Sequence, residues 1–274
     1  MNTNLIKVLI KIEKIVIIFL IIFSISMIDY KNSNEKESIL TSSQGLSNKK
    51  IGWGVKRAEN HNQPDFGKEN TEIIKKCNAI AIGNNKDKSI YLTFDLGYEA
   101  GYTEQILQAL KENNITATFF ITAHYLNTEP DLVKKMIENK NIVGNHTCNH
   151  YSMPDLTEEK INSEVMDLHK SLFDKFQYEM KYIRPPKGEF SERTINITNS
   201  LGYKTVLWSF AYADWDESKQ PEENEAKKKI LDNIHNGEIM LLHGNSKTNA
   251  NILSDLIKEI KSQGYEFKSL DDFS

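Results

Sequence analysis

Cysteine is scarce in this chain of 274 residues: Cys77 and Cys148 are the only two, and no Cys-x-x-Cys spacing occurs. A disulfide scaffold needs several paired cysteines, and a zinc finger needs closely spaced cysteines and histidines. Both classes are therefore excluded. The hydrophobic content of 39% is enough for one well-filled core.

A basic excess is missing as well. Lysine and arginine number 34 against 38 aspartates and glutamates, so the formal net charge is −4. A groove that binds a polyanion needs concentrated positive charge. We therefore expect no nucleic acid among the partners.

An uninterrupted hydrophobic run of membrane-spanning length is the third absence. The uncharged segment 15–28 is shorter than the roughly 20 residues of a spanning helix and falls within the roughly 7–15 of a signal-peptide core. Apolar residues between Leu5 and Ile12 extend it if the nearby lysines reach the interface. We interpret residues 1–28 as a signal peptide or a membrane anchor, and in both cases the rest of the chain is exported.

The next two segments are poor in periodic structure. Residues 29–50 are polar and lack an apolar face, which is typical of a flexible tether. Residues 51–88, which include Trp53, are predicted to form an irregular lead-in packed on the following domain. One helix is predicted within it, over about 68–77.

From residue 89 to residue 274, short apolar runs alternate with amphipathic helical patterns. Continuously apolar strands separated by helices are typical of a parallel sheet covered on both faces. We therefore predict an α/β fold, a distorted (β/α)7 barrel, with an open doubly wound sheet as the alternative. The predicted strands are 90–94, 117–122, 141–146, 181–186, 204–209, 238–243 and 265–270.

Polar residues mark three helix starts. Thr103 and Thr157 precede apolar helical patterns and are predicted to cap two helices, and Asn249 is predicted to open the last helix. Glu158 and Glu159 lie in the first turn after Thr157, where the helix dipole favours negative charge.

Polar side chains also recur where the predicted strands end. Singly, each is more often a cap or a loop residue than a catalyst. In a parallel barrel, however, the carboxyl ends of the strands meet at one rim, where the active site lies. The group therefore predicts a functional site, and it consists of Asp95, His146, Arg184, Asp214 and His243.

His146 and His150 form a His-x-x-x-His pair. On a helical turn, side chains four positions apart face the same way, a spacing that suits two imidazoles on one metal ion. Such pairs are common on surfaces, but this one follows a buried-looking strand, so we predict a metal site. Cys148, between the two histidines, is expected to be a small packed residue.

Other histidine and tryptophan side chains give weaker indications of a functional role. His124 follows the second strand run and is a candidate for lining the pocket, and Trp215 is a candidate for the pocket wall or for stacking on a sugar. For His243, a buried neutral histidine with a backbone partner is the alternative to a general acid. Three histidines that belong to no group of site residues are expected at the surface: His61, His169 and His235.

Five short motifs resemble, in this order, those of the polysaccharide deacetylases, carbohydrate esterase family four with its NodB-like domain. Each motif is unspecific by itself, but five in register with the strands form a specific pattern covering roughly 89–270. The resemblance implies a barrel of the deacetylase type. The motifs are TFDLG (93–97), HTCNH (146–150), RPPKG (184–188), Asp214-Trp215 and Leu241-Leu242-His243.

Three longer stretches narrow the resemblance. The sequences at 52–67, 93–103 and 208–216 are similar to the branch that deacetylates N-acetylmuramic acid in spore cortex peptidoglycan. This implies a metal-dependent amidohydrolase acting on peptide-stripped glycan strands and leading to muramic δ-lactam. It also implies an extracytoplasmic catalytic domain in the spore envelope, and we expect a monomer.

The family's residue roles carry over position by position. The resemblance implies that His146 and His150 hold a divalent metal, zinc in the family, and that Asp95 is the general base, oriented by Arg184.

His243 would then be the general acid, tuned by Asp214. The backbone N–H of Lys187 would be an oxyanion donor. The family usually has tyrosine at that position, but a main-chain donor survives the change of side chain.

Leu96 departs from the family pattern, because the corresponding aspartate is the third protein ligand to the metal and leucine has no donor atom. Three outcomes follow: a weaker metal site of two histidines and water, Asp95 acting as a partial ligand, or a metal-poor or inactive site. The branch tolerates asparagine at this position, which favours the first outcome. Ala211 is a second departure, and it fits the same branch.

Two other functions stay open. A deacetylase of N-acetylglucosamine polymers or an O-acetyl esterase would use the same chemistry, and no pocket residue decides the substrate. A catalytically inactive barrel that binds glycan is motivated by Leu96 alone. Asp95 and His243 disfavour it, because a binding protein needs neither a base nor an acid.

Overall fold

The computed structural model describes residues 45–273. The signal peptide or anchor predicted at 1–28, and the tether as far as residue 44, lie outside the described residues. Within 45–273, no helix has both the length and the apolar character that crossing a membrane requires.

Strands and helices alternate through most of the described chain. The strands are β1 (Ile51–Gly52), β2 (Ser89–Leu96), β3 (Thr118–Ile121), β4 (Ile142–Asn145), β5 (Tyr182–Ile183), β6 (Glu189–Phe190), β7 (Lys204–Thr205), β8 (Glu238–His243) and β9 (Glu266–Phe267). The helices are α1 (Lys68–Lys76), α2 (Thr103–Glu112), α3 (Ala123–Thr128), α4 (Pro130–Glu138), α5 (Glu158–Phe176), α6 (Glu192–Ser200), α7 (Glu223–Leu231) and α8 (Lys247–Ser262).

The main sheet is parallel and curls on itself, in the order β7-β5-β4-β3-β2-β8. The segment after β7 reaches across to β8, where Phe210 bridges Met240. This contact joins the two edges of the sheet. β9 pairs only with the start of β2, at Ser89 and Ile90. The predicted distorted (β/α)7 barrel is confirmed.

β2 is the longest strand of the main sheet and is flanked by β3 and β8. All eight of its residues are buried, as expected for a parallel strand covered on both faces. The Phe94 ring stacks on Phe119 with centroids 5.3 Å apart. The register places Asp95 opposite His243 of β8, so two of the predicted site residues lie side by side.

The predicted helix cap at Thr157 is present: its side chain accepts a hydrogen bond from the Lys160 N–H over 3.3 Å. The cap predicted at Thr103 is wrong, because Thr103 is already the first residue of α2. Its N–H donates to the Glu99 carboxylate over 3.2 Å. Glu99 therefore supplies the acceptor for a backbone N–H at the start of the helix.

Asn249 does not open the last helix. α8 begins two residues earlier, and the Ser246 side chain is its cap, accepting from the Asn249 N–H over 3.2 Å. Asn249 is 1% exposed, so its amide is free to bond inside the barrel.

The lead-in packs on the barrel through a small antiparallel sheet of β1 and β6. Trp53, directly after β1, is buried, and its ring lies 4.8 Å from that of Phe66 and 6.2 Å from that of Phe190. This cluster fixes the lead-in beside the loop that follows β5.

The surface position expected for His235 is wrong. Its side chain is buried, with Nε2 2.8 Å from the Ser209 hydroxyl, because the loop before β8 turns inward under the barrel. His169 is half-buried between Tyr203 and Glu179, whereas His61 is exposed.

Glu238, at the start of β8, is fully buried, and this burial raises its pKa well above the ordinary value. An acid with a raised folded-state pKa keeps its proton longer in the folded chain. Its contribution to stability is therefore full below the unfolded pKa of about 4.3 and is lost as the pH rises.

We expect Glu238→Gln to remove this pH-dependent loss, because glutamine keeps the acceptor for the His235 N–H and cannot ionise. Between about pH 5 and pH 8, the unfolding temperature of the variant should change less with pH than that of the wild type. Glu266→Gln, at an exposed position of β9, is the matched control. Parallel profiles for Glu238→Gln and the wild type would contradict the assignment.

Candidate active site

Asp95 and Arg184 form a buried ion pair at the carboxyl ends of β2 and β5. Arg184 Nη1 donates to Asp95 Oδ1 over 2.8 Å. The guanidinium is 0% exposed and also donates to the carbonyls of Val206 and Leu207 over 3.3 and 3.2 Å. It lies 4.3 Å from the centre of the Phe120 ring. Arg184 therefore fixes the orientation of the Asp95 carboxylate.

The carboxyl of Asp95 is held in its charged form. Burial alone would raise its pKa, but the positive charge of Arg184, with His146 and His243 nearby, outweighs burial and lowers the pKa below its usual value. An ionised carboxylate at a pocket wall is able to accept a proton.

His146 and His150 face each other, with ring centroids 4.8 Å apart. They do not lie on a helical turn. The loop after β4 turns sharply instead, with Thr147 at φ 66° and His150 at φ 56°. The Asn145 side chain accepts from the Thr147 N–H over 2.9 Å, which stabilises this rarely used left-handed backbone.

The bonding of His146 fixes its tautomer. Its Nδ1 lies 2.8 Å from the carbonyl oxygen of Arg184, and a carbonyl only accepts, so Nδ1 carries the hydrogen and Nε2 the lone pair. Burial lowers the pKa of His146 and lowers that of His150 to about 4. Both imidazoles are therefore neutral at pH 7, the form that binds metals.

The histidine loop rests on Glu164, a buried carboxylate of α5. Glu164 accepts from the backbone and side-chain amides of Asn149, each over 2.7 Å. Cys148 packs against the core beside it, and burial raises the pKa of its thiol to about 11. The sequence carried a signal for Glu164, since it lies between Ile161 and Val165 on an otherwise apolar face.

His243, which is half-buried, forms a second pair with the fully buried Asp214. His243 Nδ1 lies 2.7 Å from Asp214 Oδ1. Burial alone would lower the pKa of His243, but the bond to Asp214 and its charge outweigh burial and raise it. Asp214 also accepts from the Asn249 amide over 2.6 Å. Asn249 was missed by the sequence analysis, because its polar character is explained equally well by a helix start.

One pocket of about 1050 Å³ brings most of the predicted site residues together. Arg184 and Asp214 lie behind its wall and contact it through Asp95 and His243. The predicted residues that line it are Asp95, His124, His146, His150, Lys187, Trp215 and His243.

Tyr98 and Asn245 also line the pocket, and neither was predicted from the sequence. The Asn245 amide donates to the Tyr98 hydroxyl over 2.8 Å and to the Trp215 carbonyl over 2.9 Å. It thereby ties together two loops that carry exposed aromatic rings, with Trp215 55% exposed. No motif marked Asn245 in the sequence.

The donor set suits a cation but is incomplete. His146 Nε2 and Asp95 Oδ2 lie 3.5 Å apart and both offer lone pairs, an arrangement that positive charge stabilises. Leu96 is 1% exposed and packs in the core, so it supplies no ligand. In residues 45–273, no three His, Cys, Asp or Glu side chains form a group that could hold a metal ion. The two imidazoles therefore fit a metal ion, and within residues 45–273 no third side chain of these types completes the group.

Comparison with known proteins decides the family. A family profile described as polysaccharide deacetylase matches residues 82–206. The chain is 41% identical over 230 residues to PdaA, the peptidoglycan-N-acetylmuramic acid deacetylase of Bacillus subtilis strain 168, covering 84% of this chain and 88% of PdaA. This chain belongs to the polysaccharide deacetylase family.

The fold agrees with this membership. The solved structure of Bacillus subtilis PdaA, a family 4 carbohydrate esterase, superposes with a TM-score of 0.81 over 83% of this chain and 98% of that one, at 41% identity. A peptidoglycan-N-acetylglucosamine deacetylase of Bacillus cereus is 32% identical over 191 residues, covering 69% of this chain and 89% of the relative.

Membership in the deacetylase family fixes the reaction class. These homologues indicate a hydrolase acting on amide C–N bonds. Deacetylases of this family depend on a divalent metal, generally zinc.

Leu96→Asp tests the missing ligand. Without metal, we expect the variant to unfold at a lower temperature than the wild type, because a carboxylate replaces a buried leucine. With Zn²⁺ it should recover stability and bind the ion at least about tenfold more tightly, since even outer partners of metal ligands are worth 10–100-fold. Calorimetric titration measures the affinity.

Leu96→Asn, which introduces a polar group of similar size without charge, is the matched control for this variant. It should lose stability as well, and it should gain less affinity than Leu96→Asp. Equal Zn²⁺ affinity for wild type and Leu96→Asp would mean that position 96 does not limit metal binding.

Proposed function

We propose that this protein removes the acetyl group from N-acetylmuramic acid in peptidoglycan strands whose peptides have been removed, leading to muramic δ-lactam in spore cortex. The 41% identity to Bacillus subtilis PdaA supports the choice of substrate, and the observation that carries the hydrolysis is the pairing of Asp95 and His243. They lie opposite each other on adjacent strands and line one pocket, and their pKa values are shifted in opposite directions. Such a pair is typical of a general base and a general acid.

Amide hydrolysis needs an attacking water, a stabilised oxyanion and a proton for the amine that leaves. His146 and His150 would hold a divalent metal, zinc in this family, which supplies polarisation of the carbonyl and acidification of water when bound. Asp95 would accept the proton of the attacking water. Its charge and orientation depend on Arg184.

His243 would donate the proton to the amine. Its Nδ1 is engaged by Asp214, which leaves Nε2 to carry the transferred proton. The Lys187 N–H would stabilise the oxyanion, and Lys187 lines the pocket with a left-handed backbone, φ 59°. Trp215 and His124 would contact the sugar from the pocket wall.

Peptidoglycan lies outside the cytoplasmic membrane, so the proposed substrate requires an exported catalytic domain. Residues 1–28, as signal peptide or anchor, would provide export. We further propose action in the spore envelope, by a monomer.

The direct test offers peptide-free glycan strands to the purified protein with and without Zn²⁺. We expect a mass loss of one acetyl group, which fragmentation places on muramic acid. Loss from glucosamine instead would favour the function of the Bacillus cereus relative. Loss of an ester-bound acetyl would favour an esterase, and no loss with any divalent metal would favour a glycan-binding barrel.

His243→Gln tests whether His243 is the proton donor. We expect kcat to fall by about 10²–10⁴-fold with little change in KM, because the proton is delivered only in the transition state. His169→Gln, a half-buried histidine away from the pocket, is the control and should retain kcat. An unchanged kcat in His243→Gln would exclude it as the general acid.

A further inference from the structure

The turn Pro186–Gly188, which carries the proposed oxyanion donor, has an unusual backbone. Lys187 has φ 59° and ψ 8°, and Gly188 has φ 65°. A side chain on Gly188 would lie 2.6 Å from the Trp208 ring and 3.2 Å from Cβ of Trp53. The left-handed backbone of Lys187 costs free energy and persists only where surrounding structure holds it, whereas glycine adopts it readily.

The lead-in supplies that support from outside the barrel. Strand β1 pairs with β6, directly after the turn. The Trp53 N–H donates to the Gly188 carbonyl over 2.8 Å. The indole Nε1–H of Trp53 donates to the Trp208 carbonyl, also over 2.8 Å, and Trp208 lines the pocket. Trp53 thus contacts the turn through its backbone N–H and the pocket wall through its indole.

We propose that Trp53 is a positioning residue that sets the Pro186–Gly188 turn so that the Lys187 N–H points at the developing oxyanion. This rests on the proposed function, because it assigns that N–H a role in the reaction. Hydrogen-bond donors stabilise an oxyanion only within a narrow range of positions, and small misplacements from remote changes reduce rates strongly. The lead-in is accordingly part of the catalytic unit.

Trp53→Phe tests the role, because it keeps an aromatic ring against Phe66 and Phe190 and the backbone N–H, and it removes the indole N–H together with part of the ring. We expect kcat to fall by about 10–100-fold while KM stays within about twofold, since the oxyanion exists only in the transition state. Hydrogen exchange in a peptide covering residues 184–190 should become faster in the full-length protein.

Phe66→Leu is the matched control, because it trims the same aromatic cluster and leaves both Trp53 hydrogen bonds in place. It should lower the unfolding temperature without lowering kcat or accelerating exchange at 184–190. An unchanged kcat in Trp53→Phe, or an equal loss in both variants, would overturn the positioning role.

The exchange measurement separates this inference from the proposed function. If the wild type cleaves no glycan, the proposed function fails. Even then, faster exchange at 184–190 in Trp53→Phe but not in Phe66→Leu would show that Trp53 holds the turn. Unchanged exchange in Trp53→Phe would overturn that role.

Discussion

The buried ion pair of Arg184 and Asp95 is the interaction on which the site depends. A guanidinium that is fully removed from water carries a large desolvation cost, so it is stable only when its charge and its donors are matched. Here the carboxylate takes the charge and two backbone carbonyls take remaining donors. The carbonyl of Arg184 itself accepts from His146. One residue therefore sets both the charge of the base and the tautomer of a metal-binding histidine.

The pairs Arg184–Asp95 and Asp214–His243 place opposite charges behind two parts of the pocket wall. Around Asp95 a cation outweighs burial and favours the ionised acid, whereas around His243 an anion outweighs burial and favours the protonated base. Both groups are close to water in the pocket but are anchored by partners behind its wall. The pKa values of the two groups are thus shifted in opposite directions within one cavity.

The fold and much of the site were predictable from sequence because strand ends converge geometrically. Once the apolar runs predicted a parallel barrel, Asp95, His146 and His243 had to meet at one rim. The backbone of the histidine loop was not predictable, since a His-x-x-x-His spacing is compatible with a helix and with a tight turn. Arg184 and Asp214, behind the pocket wall, were predicted, but two residues that support the site from further away were not. Asn249 and Trp53 are ordinary in sequence, and only the packing of distant segments brings them into contact with site residues.

Leu96 and Gly244 are sterically interlocked. A methyl group at position 244 would lie 2.1 Å from a terminal carbon of Leu96, so the leucine side chain occupies the space that any larger residue at 244 would need. The two positions are therefore not free to diverge independently. Relatives that carry leucine at the position of Leu96 should therefore be confined to glycine at the position of Gly244.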